Sequence, residues 1–149
     1  MAKPKTVKGT KVRLLQGDGA TPTEAFTAFC GLTARSINFQ TNTNETNVPD
    51  CDDPDAPQWR ELAKAGRFVS VSGSGILDME ALERYQEAYD SPDSVNYRIE
   101  IAVPALDNGG YWEGAFMTTG FTVTGNDGEL AQVELTLESD GPVTWEPAV

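Results

Sequence analysis

Apolar and polar residues alternate one for one along most of this chain, the period of a strand with one buried face. Turn-forming clusters cut the alternation into short segments. Residues 6–16 are mixed but β-rich and close on Gly17-Asp18-Gly19. Residues 25–30 and 34–40 are expected to pair as a hairpin around Gly31. In the second of these, Arg35, Ile37 and Phe39 alternate with Ser36, Asn38 and Gln40. The clearest alternation lies in residues 67–77, where Val69 and Val71 interleave with Ser70, Ser72 and Ser74. Gly73 and Gly75 in that run signal a bulge or a close backbone approach. The period then lengthens: Leu82, Tyr85 and Tyr89 recur at helical spacing, with Asp78 placed as N-cap and Ser91-Pro92 as the stop.

The last third is β again. Val95, Tyr97, Ile99, Ile101 and Val103 alternate with Asn96, Arg98, Glu100 and Ala102. Residues 116–124 and 130–138 flank Gly125-Asn126-Asp127-Gly128, a turn of the kind hairpins favour. In the second strand Val133, Leu135 and Leu137 share one face, and Gln132, Glu134, Thr136 and Glu138 the other. Residues 143–145 make a final short strand. The expectation is a mainly β fold, a sandwich or barrel of about eight strands flanked by one helix, in a single domain over residues 1–149. One stretch departs from the pattern. Residues 41–58 are polar and acidic with three prolines, and are expected to form a long loop without structure of its own.

With 149 residues, 39% of them apolar, the chain is long enough to bury a sizeable core. It has no apolar run of membrane-spanning length, and Met1-Ala2-Lys3-Pro4-Lys5 lacks the apolar core of an export signal. Charge changes the picture more. The net charge is −12, yet the first 13 residues hold Lys3, Lys5, Lys8, Lys11 and Arg13 and no acid. A basic arm, residues 1–13, therefore precedes an acidic body that repels nucleic-acid phosphates, which argues against a DNA-gripping face.

Candidate chemistry is thin. Without histidine there is no Ser-His triad and no histidine metal site. Ser70, Ser72 and Ser74 read as one strand face rather than nucleophiles, and Lys64 is the only lysine beyond the arm that could serve as a base. Gly73-Ser74-Gly75 lacks the Gly-Lys-Ser/Thr ending of a phosphate loop. Aligned as a calcium loop from Asp50, Asp52 and Glu61 fall correctly, but Pro54 and Asp55 displace a ligand and the turn glycine. A solvated acidic loop is the better reading. Cys30 reads as a small core residue, with pairing to Cys51 left open. Trp59, Trp112 and Trp145 suit core or interface positions better than a sugar platform. Neither an enzyme nor a cofactor or metal site is expected.

A hairpin comes first, then a long polar loop ending in Gln58-Trp59-Arg60-Glu61-Leu62. The Val69-Ser70-Val71-Ser72-Gly73-Ser74-Gly75 strand follows, then a helix and C-terminal strands. This order of parts resembles the major tail tube proteins of long-tailed, non-contractile phages and of gene-transfer particles. The resemblance implies a structural protein of the virion tail, assembled in the host cytoplasm. Stacked hexameric rings would form a hollow tube for DNA, with neighbours' edge strands joined into a barrel around the channel. The implied partners are further copies of the chain, the tail-tip and tail-terminator proteins, the tape measure protein, and DNA in transit without specific binding. By the same resemblance the long loop makes contacts between subunits: Asn47, Asp50, Asp52, Asp53 and Asp55 would lie in it, anchored by Trp59, Arg60, Glu61 and Leu62. Lys3, Lys5, Lys8 and Lys11 would seek carboxylates of an adjacent subunit. Glu134, Glu138, Ser70, Ser72 and Ser74 are candidates for the channel wall, although alternation alone leaves open which face meets the channel. The rival readings are the ring-forming tube of a bacterial secretion machine and a β-sandwich binding module.

Overall fold

The computed structural model describes residues 2–20 and 23–149. It contains seven strands: β1 (Val12–Gly17), β2 (Phe26–Ala28), β3 (Leu32–Val48), β4 (Trp59–Ile76), β5 (Val95–Ile101), β6 (Gly110–Thr124) and β7 (Gln132–Pro147). One helix, α1 (Leu82–Asp90), separates β4 from β5. The strands form one continuous antiparallel sheet in the order β2-β1-β5-β6-β7-β4-β3.

That order forces the sheet to curl. Strands β2 and β3 stand at opposite ends of it, six steps of roughly 4.8 Å apart if flat, or about 29 Å. Only residues 29–31 join them, a link that spans at most about 15 Å. The sheet therefore rolls over into two packed layers. One layer is β2-β1-β5 with the first half of β6 and the last part of β7. The other is β3-β4 with the first half of β7 and the second half of β6. Strands β6 and β7 serve both layers, bending where their register shifts between Gly114 and Phe116 and again between Thr118 and Gly120. Gly141, at φ +113°, lies in the matching irregular stretch of β7.

The core fills the space between the layers: Leu14, Tyr97 and Ile99 from one side, Val71, Val133, Leu135 and Leu137 from the other. Tyr85 of α1 closes one flank, its ring stacked on Phe29 at 4.6 Å and on Phe121 at 5.6 Å. Phe39, Trp112 and Trp145 form a second aromatic group, with ring centroids 5.6 and 4.7 Å apart along that sequence.

Several expectations need correction. Residues 25–30 do not pair with 34–40; β2 pairs with β1, and β3 pairs with β4. Gly31 does turn the chain, at φ +86°, but it turns from one layer to the other. Cys30, expected in the core, is exposed, because Phe29 beside it takes the inward position. The segment 143–145 is the continuation of β7 rather than a separate strand. Asp78 does not cap α1; Ala81 occupies that position, and the Asp78 carboxylate accepts from the Glu80 amide at 3.1 Å in the preceding turn. Tyr89 is exposed, since the sandwich covers only the Ala81, Tyr85 and Ala88 stripe.

The largest correction concerns residues 41–58. Residues 41–48 are the outer half of β3, paired through Val48↔Trp59 with the start of β4, so only residues 49–58 lack strand structure. The result is a two-stranded arm standing free of the sandwich. Thr and Asn alternate there without an apolar face because neither side of the ribbon is buried. At the root of the arm, the glycine reading of β4 holds: Gly75 lies directly against the Gly31 carbonyl and Thr33 amide, where a Cβ would not fit.

Candidate functional site

Three surfaces carry the residues singled out in the sequence. The first is the outer face of the β3-β4-β7-β6 layer. Val69, Val71 and Gly73 point inward, which turns Ser70, Ser72 and Ser74 outward. Register places Ser70 opposite Glu138, Ser72 opposite Thr136 and Ser74 opposite Glu134. The five predicted wall residues thus share one face across two adjacent strands. Residues that the sequence reading missed extend it on both sides. Ser36 and Asn38 of β3 oppose Ser72 and Ser70, and the Ser36 and Ser72 hydroxyls share a hydrogen bond of 2.6 Å. Thr122 of β6 opposes Glu134. Hydroxyls, amides and two carboxylates prevail on this face, interrupted by the partly exposed Phe68, Ile76 and Met117, and no lysine or arginine stands among these residues.

The flanks of this layer matter as much as its face. Strand β5 pairs with β6 only as far as Val95↔Phe116. Beyond it, residues 117–124 pair with β7 alone. On the other side β3 pairs with β4 alone. Among the described residues the four-stranded layer therefore ends in two unpartnered flanks, β3 and the second half of β6. A signal existed in the sequence: the β6 alternation runs well past the length of β5. Pairing partners, however, were not legible.

The second surface is the arm. Asn47 lies at the end of β3, while Asp50, Asp52, Asp53 and Asp55 lie in the tip turn, where the Asp52 amide donates to the Asp50 carboxylate at 2.9 Å. Trp59, Arg60, Glu61 and Leu62 open β4 and alternate across the ribbon. Trp59 is 85% exposed and Leu62 54%. Neither is core, and Trp59 lies far from the Trp112–Trp145 pair, so the three indoles form no platform. Arg60 makes an exposed ion pair with Glu45 at 2.9 Å. Glu61 is in a strand, away from the geometry of a calcium loop, and no group of three or more acidic or thiol side chains converges for a metal among the described residues.

The third surface is the basic arm. Lys3, Lys5 and Lys8 are exposed and precede a short 3-10 turn, Gly9–Lys11. It is tied to the body by Arg35, whose guanidinium donates to the Gly9 carbonyl at 3.3 Å. Cys30 and Cys51 are both free and exposed, one at the base of β3 and the other at the arm tip. They do not pair.

On the opposite outer face, Arg98 is held between the rings of Phe26 and Tyr111, at 3.8 and 4.4 Å, with Glu113 at 3.5 Å. This contact fastens β2 to β5 and β6 and leaves the acidic face untouched. Among titrating groups, burial pushes Tyr85 up to about 12 and raises Tyr97. Both are packing residues. Among the described residues the geometry presents edges, an acidic face and two oppositely charged arms.

Comparison with known proteins agrees with that picture. A family model described as phage tail tube protein matches residues 6–145. No curated protein matches the chain. Among solved structures, the chain is similar to the tail of an empty gene transfer agent particle computed with C6 symmetry. The TM-score is 0.76 at 23% identity, covering 95% of this chain and 99% of that one. It is similar to the tail tube of SPP1, with a TM-score of 0.69 at 10% identity over 97% and 81% of the two chains. It also resembles the tube-terminating cap of the anti-feeding prophage, at 0.62 and 15% over 99% and 95%. The fold is that of tail tube subunits, and the chain belongs to the phage tail tube protein family, a structural and non-enzymatic component of the virion tail.

Proposed function

We infer that the acidic face of the β3-β4-β7-β6 layer lines the channel of a tube built from stacked six-membered rings of this chain, through which DNA passes. The observation that carries this reading is the pair of unpartnered flanks. The layer is antiparallel throughout, so β3 and β6 run in opposite directions. Setting β3 of one copy beside residues 117–124 of the next continues the antiparallel alternation. The two flanks differ, so the contact is heterologous and closes into a ring when the rotation permits. Closure also removes exposed edges that would otherwise invite aggregation. The C6 symmetry of the gene transfer agent tail supports six copies.

The composition of the face suits such a channel. Cationic walls would hold phosphates and stall the polymer, whereas carboxylates and hydroxyls keep a hydrated layer between wall and DNA. Ser70, Ser72, Ser74, Glu134 and Glu138 are the wall residues in this reading. The tail-tip, tail-terminator and tape measure proteins are its partners, and the host cytoplasm is the place of assembly. Electron microscopy of the purified chain, alone and with a tail-tip complex, tests it. Rings and hollow tubes are expected; a chain that stays monomeric under both conditions contradicts it.

A further inference from the structure

We propose that the side of α1 carrying Leu82, Gln86 and Tyr89 docks on strand β3 of the next copy in the same ring, with Tyr89 against Phe39 of that copy. This rests on the tube reading above and adds to the paired strands a second contact, behind the channel wall.

The helix is held between the two layers, and its Ala81, Tyr85 and Ala88 stripe is buried. Arg84, on one side of that stripe, turns to β1 and β2, where it donates to the Gln16 side chain at 3.1 Å and to the Thr27 carbonyl at 3.2 Å. At about 3.6 residues per turn, Leu82, Gln86 and Tyr89 fall on the opposite side, towards the free flank of β6. Tyr85, between the two sides, stacks on Phe121 of that flank segment. Gln86 and Tyr89 are exposed, Tyr89 by 52%. Strand β5 stops at Val95↔Phe116, so among the described residues no strand of the same copy lies beyond them.

Height along the layer selects the partner residue. The chain enters α1 from the end where the Leu77 amide donates to the Ala131 carbonyl, and leaves it for the Val95↔Phe116 end. Four residues past Tyr85, Tyr89 stands about 6 Å beyond the level of Phe121, near Thr119. Rows of paired residues carry that height across the layer, and Thr118, Leu137, Val71 and Ile37 form one of them. Phe39 follows Ile37 on the same face of β3. Its ring, tilted on Trp112 at 5.6 Å, stays 51% exposed on the outermost strand. A β3 strand set beside residues 117–124 without axial offset brings that ring to Tyr89. Two half-exposed aromatic rings, one on each flank of the subunit, then cover each other.

Area gives a second reason for a second copy as the occupant. Residues 117–124 offer an edge about 26 Å long and about 10 Å thick, hence about 260 Å² per copy. A stable interface takes about 800 Å² per partner. Strand pairing alone falls short, and α1 is the surface beside the flank that supplies more.

Two readouts test the contact. Tyr89→Ala should leave the urea midpoint of the subunit unchanged, because the ring is half exposed there, and should raise the protein concentration needed for rings at least about tenfold. Tyr89→Phe, which keeps the aromatic face, should stay within about twofold of the unaltered chain. The second readout is proximity. Cys30→Ser and Cys51→Ser remove the two exposed native thiols, and Tyr89→Cys with Phe39→Cys is added to that background. A short bismaleimide should then join copies into a covalent ladder from the two new thiols together and from neither alone. Thr41→Cys, two residues further on the same face of β3, replaces Phe39→Cys if circular dichroism shows that variant misfolded. Absence of either result, while the unaltered chain forms tubes, overturns the helix contact and leaves the tube reading standing. Failure of the unaltered chain to form rings at all overturns the tube reading, and the helix contact with it.

Discussion

Replacing Glu134 and Glu138 together with lysine separates the subunit's stability from the behaviour of the channel. On β7 the two carboxylates are four residues apart, roughly 13 Å. Two charges at that separation interact by about 0.3 kcal/mol in water before screening, and the Debye length of about 8 Å at physiological salt reduces this further. Both side chains are exposed, and neither forms an ion pair among the described residues. The double substitution should therefore change unfolding free energy by no more than about 0.5 kcal/mol. With this face lining the channel, as proposed, the effect would be multiplied, because every copy in every ring would turn two anions into two cations that face a polymer bearing one phosphate per ~1.7 Å. DNA delivery by particles built from this variant should fall at least about tenfold at low salt and recover as salt rises, since counterion release drives the new contacts. Glutamine at both positions should fall between the two. The assay pairs microscopy of the particles with DNA transfer measured across a salt series. Lysine particles that assemble normally and deliver at the original rate, at every salt concentration, would refute the assignment of this face to the channel.

Two further outcomes concern the subunit itself. Leu137 is fully buried between the layers, so Leu137→Ala should cost about 3 kcal/mol in urea unfolding, whereas Trp59→Ala on the free arm should cost less than about 0.5 kcal/mol in the monomer. Tyr85 has a buried hydroxyl without a hydrogen-bond partner and a pKa raised to about 12 by burial. The stability linked to its protonated form is complete below pH 10, the ordinary tyrosine value, and is lost as pH rises through about 12. Tyr85→Phe should therefore hold or raise stability at neutral pH and flatten the alkaline limb between those values, measured by urea midpoint against pH.

The faces of β4 and β7 were legible because their alternation is strict: Val71 against Ser72 and Leu135 against Thr136 leave only one inward side. Their pairing was not. β2 and β3 are neighbours in sequence and stand at opposite ends of the sheet, a choice made by the core between the layers rather than by the turn at Gly31. The arm escaped notice for a different reason. Strand periodicity is visible when one face is apolar, and Thr41, Asn42, Thr43 and Asn44 are exposed on both faces. The prolines mark a break, and all three, Pro49, Pro54 and Pro57, lie in the tip, so they say nothing of residues 41–48. Trp59-Arg60-Glu61-Leu62 reads in the sequence as the end of a loop, whereas it opens β4 on the free arm, with an exposure that residue type alone does not reveal. The acidic face was half visible: Glu134, Glu138 and the three serines were found, while Ser36, Asn38 and Thr122 joined them only through register.

Ring closure through the flanks of β3 and β6 is most directly tested by amide hydrogen exchange on assembled tubes against free subunits, read residue by residue. Closure requires that alternate amides in residues 32–40 of β3 and 117–124 of β6 exchange fast in the subunit and become protected together in the tube. Amides along β5 and in the middle of β7, already paired on both sides, should change little. Protection appearing elsewhere while both flanks keep exchanging at the subunit rate would contradict the ring.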